Sequence, residues 1–369
     1  MDEEVPDLEV EVQVSKSKEK ASRSSSTHTT YAVSTRTSME EFGASSFTVV
    51  RRYRDFLWLQ GELMGRHPGI IVPPLPEKRE YKKFDAFFLE YRRRGLQKFL
   101  RTIAAHPTLA RSTPTIQFLE SDTPLPSSKT IAKDILAKVS GFSMSRVHAA
   151  SLQENTEFSQ AQDELDHLKE GLKTTAAGLK AQARATVDVA DVLDWASDEI
   201  AELAEVSNEP LSDDLTAFGE GLYKVSLIDR ELSTSVFETF GATLGEYIRG
   251  SRLARATLVA RAQAYIKWQE TVSSLESKRS SLDKLKEKPG KEAAVAKTMD
   301  KIETLEGKVD DRRLKFDEIT AGLQQELDRF HARRVDDMQH ALVSLTQNSI
   351  TSHQKKRAIF ASILRSLEA

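Results

Sequence analysis

The feature that most constrains this chain is an apolar repeat with a period of seven residues, present in two separate stretches. The first stretch consists of Phe158, Leu165, Leu172, Leu179, Leu193 and Ile200, with Val189 and Leu203 on the companion position three residues further on. The second consists of Ile302, Val309, Phe316, Leu323 and Phe330. A period of seven is typical of long helices that pack along one seam. The repeat therefore predicts long, packed helices over most of the chain.

Two sequence breaks divide this helical region. Asn208-Glu209-Pro210 and Pro289-Gly290 should each end a helix, because proline excludes its predecessor from helical geometry. Three helices result, the second running from about Leu211 to Lys288. Helices of this length form an elongated antiparallel bundle rather than a globular ball. So slender a bundle exposes apolar seams unless it pairs with a second chain, and a dimer is therefore predicted.

The first third of the chain has a different pattern. Between Leu8 and Gln60, apolar residues alternate with polar ones and predict three antiparallel strands. The Ser/Lys/Arg-rich stretch from Ser15 to Thr30 has too little apolar content to fold and is expected to be a loop. Helices are predicted over Asp55–Met64 and Phe84–Ile103. This N-terminal region is therefore expected to be a small α+β domain that ends near residue 120.

A proline- and serine-rich segment at residues 122–128 marks a boundary. It predicts an N-terminal domain at 1–121, a linker at 122–150 and a helical domain at 151–369. Within the linker, one helical face carries Ile131, Ile135, Val139 and Phe142. This face suits an interfacial helix that wedges into a membrane's headgroup region. An ordinary helix docked on the scaffold is the alternative.

Composition excludes several classes of function. A net charge of −3 gives no global case for nucleic acid as a partner. There is no cysteine, which excludes disulfides and thiolate metal sites. No apolar run approaches the ~20 residues of a spanning helix, so any membrane contact is expected to be peripheral.

No enzymatic motif is found. The chain has no Gly-rich phosphate loop, no His-Glu-x-x-His and no Gly-x-Ser-x-Gly. Carboxylate pairs such as Asp213-Asp214 fit solvated helix surfaces better than acid/base chemistry. We assign no catalytic residue, metal ligand or cofactor, and the chain is not expected to be an enzyme.

One set of cations stands out beside an aromatic residue and a proline-rich loop. It comprises the segments Arg51–Phe56, Pro73–Lys78 and Arg92–Gly95. Guanidinium groups bind phosphate bidentately, lysine supplies a point charge, and a ring can pack on a sugar or inositol face. Each motif alone fits surface charge with a core tyrosine, and Pro73-x-x-Pro76 also fits a loose SH3-ligand pattern.

Taken together, these motifs resemble the phox-homology (PX) domain over about Leu8 to Ser121. The matches are Arg-Arg-Tyr-x-Asp-Phe, Pro-Pro-x-Pro-x-Lys, Arg-x-x-Gly-Leu at residues 92–96, and the closing segments 106–109 and 117–120. The resemblance implies phosphatidylinositol 3-phosphate as the ligand. By position it implies that Arg52 grips the 3-phosphate, Tyr53 packs on the inositol ring, Lys78 meets the 1-phosphate and Arg92 binds the ring hydroxyls.

A PX domain followed by a linker and long helices resembles the PX-BAR sorting nexins. The stretch Leu327–Asp337, with its Arg-Phe-x-x-x-Arg-Val core, is similar to the retromer-associated members. The resemblance implies a curvature-sensing, membrane-tubulating coat subunit, cytoplasmic and peripheral on endosomal membranes. The implied partners are a second copy or a second PX-BAR sorting nexin, and retromer's cargo-recognition subunits. A coiled-coil tether that only uses the PX domain as an address is the alternative.

Four lysines surround the second helix break: Lys284, Lys286, Lys288 and Lys291. They should lie at one end of the bundle, where each contributes about 1 kcal/mol near an anionic leaflet. We therefore predict a membrane-facing basic tip. A solvated lysine-rich turn is the alternative, and Glu287 and Glu292 weaken the cluster.

Overall fold

The computed structural model describes residues 7–15, 29–77, 86–126, 156–287 and 290–368. These residues fall into two compact units. The first contains the residues up to Asp166 together with Gly250–Phe330. The second contains His167–Arg249 together with His331–Ala369.

In the first unit, the N-terminal region contains an antiparallel sheet with strand order β1-β2-β3. The strands are β1 (Leu8–Ser15), β2 (Thr30–Thr37) and β3 (Ser46–Arg52). Val10 and Val12 are buried, because successive side chains of a strand point to opposite faces and these two share the inner one. The predicted three-stranded sheet is confirmed. Most of the predicted polar loop between β1 and β2 lies outside the described residues.

The described helices of this N-terminal region are α1 (Tyr53–Arg66), α2 (Ala86–Ala104), α3 (Pro107–Ala110) and α4 (Thr113–Glu120). Their core is centred on Phe56 of α1, which is fully buried. Its ring centroid lies 4.9 Å from that of Phe118 in α4 and 6.1 Å from that of Tyr31 in β2. Edge-on aromatic contacts at these distances add to the hydrophobic gain from burial. The aromatic cluster thus fixes the position of α1 against the sheet.

Helix α2 is hydrogen-bonded to the backbone of β1. Gln97 is buried; its side-chain Nε2 donates to the Val10 carbonyl, and its Oε1 accepts from the Val12 amide. Arg93 Nη1 donates to the Val12 carbonyl at 3.0 Å, while its Nε donates to Glu90 at 2.8 Å. Strand β1 is at one edge of the sheet, so these side chains satisfy backbone groups that no further strand pairs with.

The Glu90–Arg93 pair gives a pH dependence that can be tested. Hydrogen bonding from Arg93 lowers the pKa of Glu90 to about 2. A depressed carboxyl pKa contributes stability above the unfolded-state value and loses it as pH falls through the folded-state value. Glu90→Gln should therefore lower the melting temperature near neutral pH, by a free energy of about 1 kcal/mol or less because the pair is partly exposed. Thermal unfolding should show this difference from wild type disappearing between about pH 4.5 and about pH 2; a constant difference would contradict the assignment.

The long helices are α5 (Thr156–Glu205), α6 (Leu211–Val236), α7 (Ala242–Lys286) and α8 (Glu292–Leu367). A π-helical turn, Phe237–Gly241, joins α6 to α7. The helix ends near residues 205–211 and 286–292 agree with the breaks predicted from proline. Within the part of the chain that the structure describes, none of the helices carries an apolar stretch sufficient to cross a membrane.

The helical part of the first unit buries the second apolar repeat. Ile302, Phe316, Leu323 and Phe330 are buried, and Val309 packs beside Leu275 and Leu282 of α7. Arg261 of α7 is also buried, with its guanidinium carbon 4.0 Å from the centre of the Phe158 ring. The predicted seam is confirmed for this stretch.

In the second unit, the structure contradicts part of the prediction made from the first apolar repeat. Val189 and Leu203, the predicted companion positions, are 54% and 51% exposed. From residue 183 to residue 204, the buried positions of α5 are a seven-residue repeat of small residues: Ala183, Ala190, Ser197 and Ala204. Small side chains let α5 and α6 approach closely, so that Ser197 Oγ donates to the Gly219 carbonyl at 2.9 Å. Leu172 is also buried, and Ile200 lies 3.3 Å from the position of a Cβ on Gly219, so the first repeat holds at these residues while its companion positions face outward.

Candidate functional site

The candidate site is built at the junction of β3 and α1, where two adjacent arginines have different surroundings. Arg51 is buried; its Nε donates to the Phe118 carbonyl at 2.8 Å, and its guanidinium lies 5.3 Å from the Phe118 ring centre. Arg52, the next residue along the strand, points to the opposite face and is half-buried. Arg51 therefore stabilises the fold, whereas Arg52 lies at the surface of the same junction.

The backbone places Arg52 directly before the first residue of α1. Its amide donates to Oδ2 of Asp55 at 2.7 Å, which satisfies one backbone group at the helix start. The N-terminus of a helix carries a partial positive charge and favours anions. Arg52 therefore adds a full positive charge beside the N-terminus of α1, whose first turn also carries Asp55.

The neighbouring residue, Tyr53, connects α1 to the proline-rich loop and to α2. Its hydroxyl donates to the Pro76 carbonyl at 2.5 Å. The guanidinium carbon of Arg92 lies 4.9 Å from the centre of the Tyr53 ring, within the range of a cation–π contact. The structure thus brings Tyr53 and Arg92 together beside Arg52.

The proline-rich loop is held from two sides. Gln60 of α1 donates through Nε2 to the Pro73 carbonyl at 2.9 Å. Gly95 of α2 lies so close to Pro76 that a Cβ built on it would stand 2.9 Å from the proline Cβ. Since real Cβ atoms are not found at that distance, glycine is required for α2 to approach the loop this closely.

Substitution of Gly95 tests this geometry. Gly95→Ala should displace the loop at Pro76, weaken the hydrogen bond from Tyr53, and reduce anion binding at the site by roughly three- to tenfold, equivalent to part of one hydrogen bond. Gly307→Ala is the matched control, because its Cβ would meet nothing within 4 Å. In the control, the better helix propensity of alanine should raise stability by up to about 1 kcal/mol and leave binding unchanged. Titration with a soluble anionic headgroup measures both variants, and equal affinities would contradict the close-approach argument.

The other predicted site residues have different outcomes. Lys78 lies outside the described residues, as does the linker face formed by Ile131, Ile135, Val139 and Phe142. Among the tip lysines, Lys284, Lys286 and Lys291 are exposed, and Lys288 is outside the described range. Gly290 between them has a φ of +78°, a left-handed conformation that glycine adopts without strain.

The tip also contains a groove that the sequence did not indicate. This open groove of about 380 Å³ is lined by Lys286 and Lys291 together with apolar side chains of α8 such as Val295 and Met299. No cluster of metal-binding side chains occurs among the described residues. The groove thus combines two lysines and Glu292 with apolar side chains.

Two domain families match the chain. A family described as "Vps5 C terminal like" matches residues 134–365, more than half of the chain, and the PX domain family matches residues 39–122. The chain belongs to the PX-BAR sorting nexins of the Vps5 type.

Curated relatives are similar to this sorting nexin along most of its length. The vacuolar protein sorting-associated protein vps5 of Schizosaccharomyces pombe is 28% identical over 350 residues, which cover 89% of this chain and 60% of that protein. Human sorting nexin-1 is 25% identical over 360 residues, covering 92% of this chain and 68% of the relative. The PX region is more similar to human sorting nexin-7, at 45% identity over 111 residues, or 29% of each chain.

Among solved structures, this sorting nexin matches the cryo-EM structure of the SNX-BAR Mvp1 tetramer. The TM-score is 0.66 at 19% identity, with 97% of this chain and 100% of the other covered. At that identity the match establishes the fold alone. It agrees with a three-stranded PX region followed by a mostly helical region, and no enzyme family is indicated.

Proposed function

We propose that this chain binds phosphatidylinositol 3-phosphate and acts as a curvature-sensing, membrane-tubulating coat subunit in endosomal, retromer-dependent retrograde sorting. The observation that carries the proposal is the position of Arg52 at the N-terminus of α1, beside the contact between Tyr53 and Arg92. A monoester phosphate placed there would meet a guanidinium fork and a helix N-terminus, and the inositol ring would lie near Tyr53. Lys78 is proposed for the 1-phosphate and Arg92 for the ring hydroxyls.

The proposed architecture is a PX domain at 1–121, a linker with an amphipathic helix at 122–150, and a three-helix BAR domain at 151–369. The BAR domain would pair with a second copy or with a second PX-BAR sorting nexin. Pairing supplies two headgroup sites on one body, which raises membrane affinity through avidity. Exposed lysines at the tip, Lys284, Lys286 and Lys291, would hold the anionic leaflet against the scaffold.

The proposed location is cytoplasmic and peripheral on endosomal membranes, with retromer's cargo-recognition subunits as further partners. Family membership supports a sorting role, and the described helices lack a membrane-spanning candidate, which is compatible with peripheral attachment. The proposed wedge is the linker face that carries Ile131, Ile135, Val139 and Phe142.

A tether or scaffold that binds the lipid without remodelling the membrane is the alternative function. One experiment separates the two. The purified chain is mixed with vesicles that contain either phosphatidylinositol 3-phosphate or unphosphorylated phosphatidylinositol, and the mixtures are sedimented and inspected by electron microscopy. Selective sedimentation with tubules supports the proposed coat subunit. Selective sedimentation without tubules favours the tether, and sedimentation independent of the 3-phosphate would contradict both.

A further inference from the structure

A buried carboxylate connects the PX region to α8 within the first unit. Glu326 of α8 has only 2% of its side chain exposed, and its Oε1 lies 2.9 Å from Nε2 of His106. The same oxygen accepts from Nη1 of Arg329 at 2.6 Å. Its other oxygen, Oε2, accepts from the backbone amide of Ile71 at 3.2 Å. A buried charge is tolerated only when it is hydrogen-bonded in this way.

The hydrogen bonds of His106 determine which of its nitrogens carries the proton. Its Nδ1 accepts from the amides of Thr108 and Leu109, at 3.1 and 3.2 Å, and so caps α3. A nitrogen that accepts two amides carries no hydrogen, so Nε2 must be the protonated one and donates to Glu326. One ring therefore caps a helix of the PX region and holds α8 at the same time.

Two close approaches at glycine residues accompany the hydrogen bonds of Glu326. A Cβ built on Gly69 would lie 3.0 Å from the backbone oxygen of Ile319 in α8. A Cβ on Gly250 of α7 would lie 3.1 Å from the Phe330 ring and 3.9 Å from Cγ of Pro74. Glycine at position 69 thus permits close approach of the PX region to α8, and glycine at position 250 permits close approach of α7 to α8 beside Pro74.

The residues of α8 that make these contacts lie on one side of the helix. Ile319, Glu326 and Phe330 follow a spacing of seven and four residues, which keeps them on one face. Arg329 and Phe330 also belong to the Arg-Phe-x-x-x-Arg-Val sequence for which the pattern alone gave no role. At the loop between Ile71 and Pro76, Ile71 contacts Glu326, while Pro73 and Pro76 are hydrogen-bonded to Gln60 and Tyr53.

We propose that Glu326 is a positioning residue for the headgroup site: it clamps His106 and Ile71 to α8 and so fixes the direction in which the Arg52–Tyr53–Arg92 site faces from the helices of its unit. The proposal rests on the proposed function. A site held in a fixed direction can engage a membrane together with other contact points on the same body, and avidity is lost when the geometry forbids simultaneous engagement. Residues 319–330 thus act on membrane binding without touching the lipid.

Burial and charge are consistent with this clamp. Burial raises the pKa of Glu326, but hydrogen bonds from His106, Arg329 and the Ile71 amide outweigh it, so the pKa of this carboxyl lies below its usual value. Glu326 is therefore ionised when it holds these three donors. Replacing it by glutamine would turn an amide group toward donors that need acceptors.

The test uses the full chain with two variants of His106, one variant of Glu326 and one control variant. Asparagine places a polar atom where His106 has Nδ1, so His106→Asn keeps the cap and loses the bond to Glu326. Glutamine reaches the position of Nε2, so His106→Gln keeps that bond and loses the cap. Glu326→Gln is compared with Glu318→Gln, a control on the exposed side of α8.

The readouts are amide hydrogen exchange at Ile71 without lipid, affinity for soluble short-chain phosphatidylinositol 3-phosphate, and affinity for vesicles containing that lipid. Glu326→Gln and His106→Asn should exchange at Ile71 at least about tenfold faster, since a bond to a buried charge is among the stronger ones. Their short-chain affinity should stay within about twofold of wild type, while vesicle affinity falls by roughly ten- to a hundredfold. His106→Gln and Glu318→Gln should keep wild-type vesicle affinity.

The proposal would be overturned by unchanged exchange at Ile71 in Glu326→Gln, or by unchanged vesicle affinity despite faster exchange. A greater loss of vesicle affinity in His106→Gln than in His106→Asn would also overturn it. A fall in short-chain affinity as large as that of vesicle affinity would also overturn it, because Glu326 would then act within the headgroup site. The exchange measurement needs no lipid. The clamp can therefore fail or succeed independently of the proposed lipid specificity.

Discussion

Arg52→Ala should abolish selective binding of phosphatidylinositol 3-phosphate while the chain remains folded. The side chain is half-buried at the surface of the β3–α1 junction, so its removal opens no core cavity. A charge-assisted bond to a phosphate contributes about 1.5–3 kcal/mol, which corresponds to roughly 10- to 150-fold in affinity. The loss should be selective, because attraction between the remaining cations and any anionic lipid is unaffected.

Arg54→Ala is the matched control for this prediction. Arg54 is two residues further along; its side chain is 63% exposed, and its Nε lies 3.5 Å from Oδ1 of Asp55. Arg54→Ala removes the same charge from the same region, so any loss of binding due only to net charge should appear in both variants. Lys78→Ala should weaken vesicle binding with less effect on selectivity. If Arg52→Ala sediments with the lipid as wild type does while the control behaves normally, the assigned site is wrong.

The neighbouring Arg51 shows what the sequence could not predict. In the segment Val49-Val50-Arg51-Arg52, each face of the strand carries one valine and one arginine. The sequence pattern therefore does not reveal which arginine points inward. The structure settles the phase: Val49 is 2% exposed and Val50 is 56% exposed. Arg51 shares the inner face with Val49, and Arg52 shares the outer face with Val50. The resemblance to PX domains pointed to Arg52 without giving a reason. The structure supplies the reason, since the strand register places Arg52 on the outer face of β3.

Predictions from periodicity succeeded where large apolar side chains form the contact and failed where small ones do. The repeat from Ile302 to Phe330 was visible because its members are bulky. The inner face of α5 contains Ala183 and Ala190, which give almost no hydrophobic signal although both are at most 2% exposed. Contacts between distant segments were equally invisible: His106 and Glu326 are 220 residues apart, and no local pattern relates them.

The small-residue face of α5 has a consequence for association. Val189, Val192 and Trp195 lie on the side of α5 away from Ala183 and Ala190, within an arc of roughly 120° at about 100° per residue. Leu203 continues the same stripe and Val206 follows directly after the end of α5; all five side chains are more than half exposed. A helix that is apolar on two sides needs a second partner, because an exposed stripe of this length is costly in water. A second chain of the same family is the proposed occupant.

Val192→Asp should convert the paired chain into a monomer, because it places a charge at the centre of this stripe. Buried in an interface without a partner, that carboxylate would cost several kcal/mol, enough to weaken association by at least about a hundredfold. Trp195→Ala should weaken pairing by roughly 2–4 kcal/mol, the range for a central aromatic residue.

Leu314→Asp is the matched control: its side chain is 61% exposed, as is that of Val192, but it lies in the first unit. Light scattering and sedimentation, on the chain alone and mixed with a second PX-BAR sorting nexin, measure the mass. Because Leu314 lies outside the stripe on α5, the control should pair as wild type does, whereas full pairing by Val192→Asp would refute this interface.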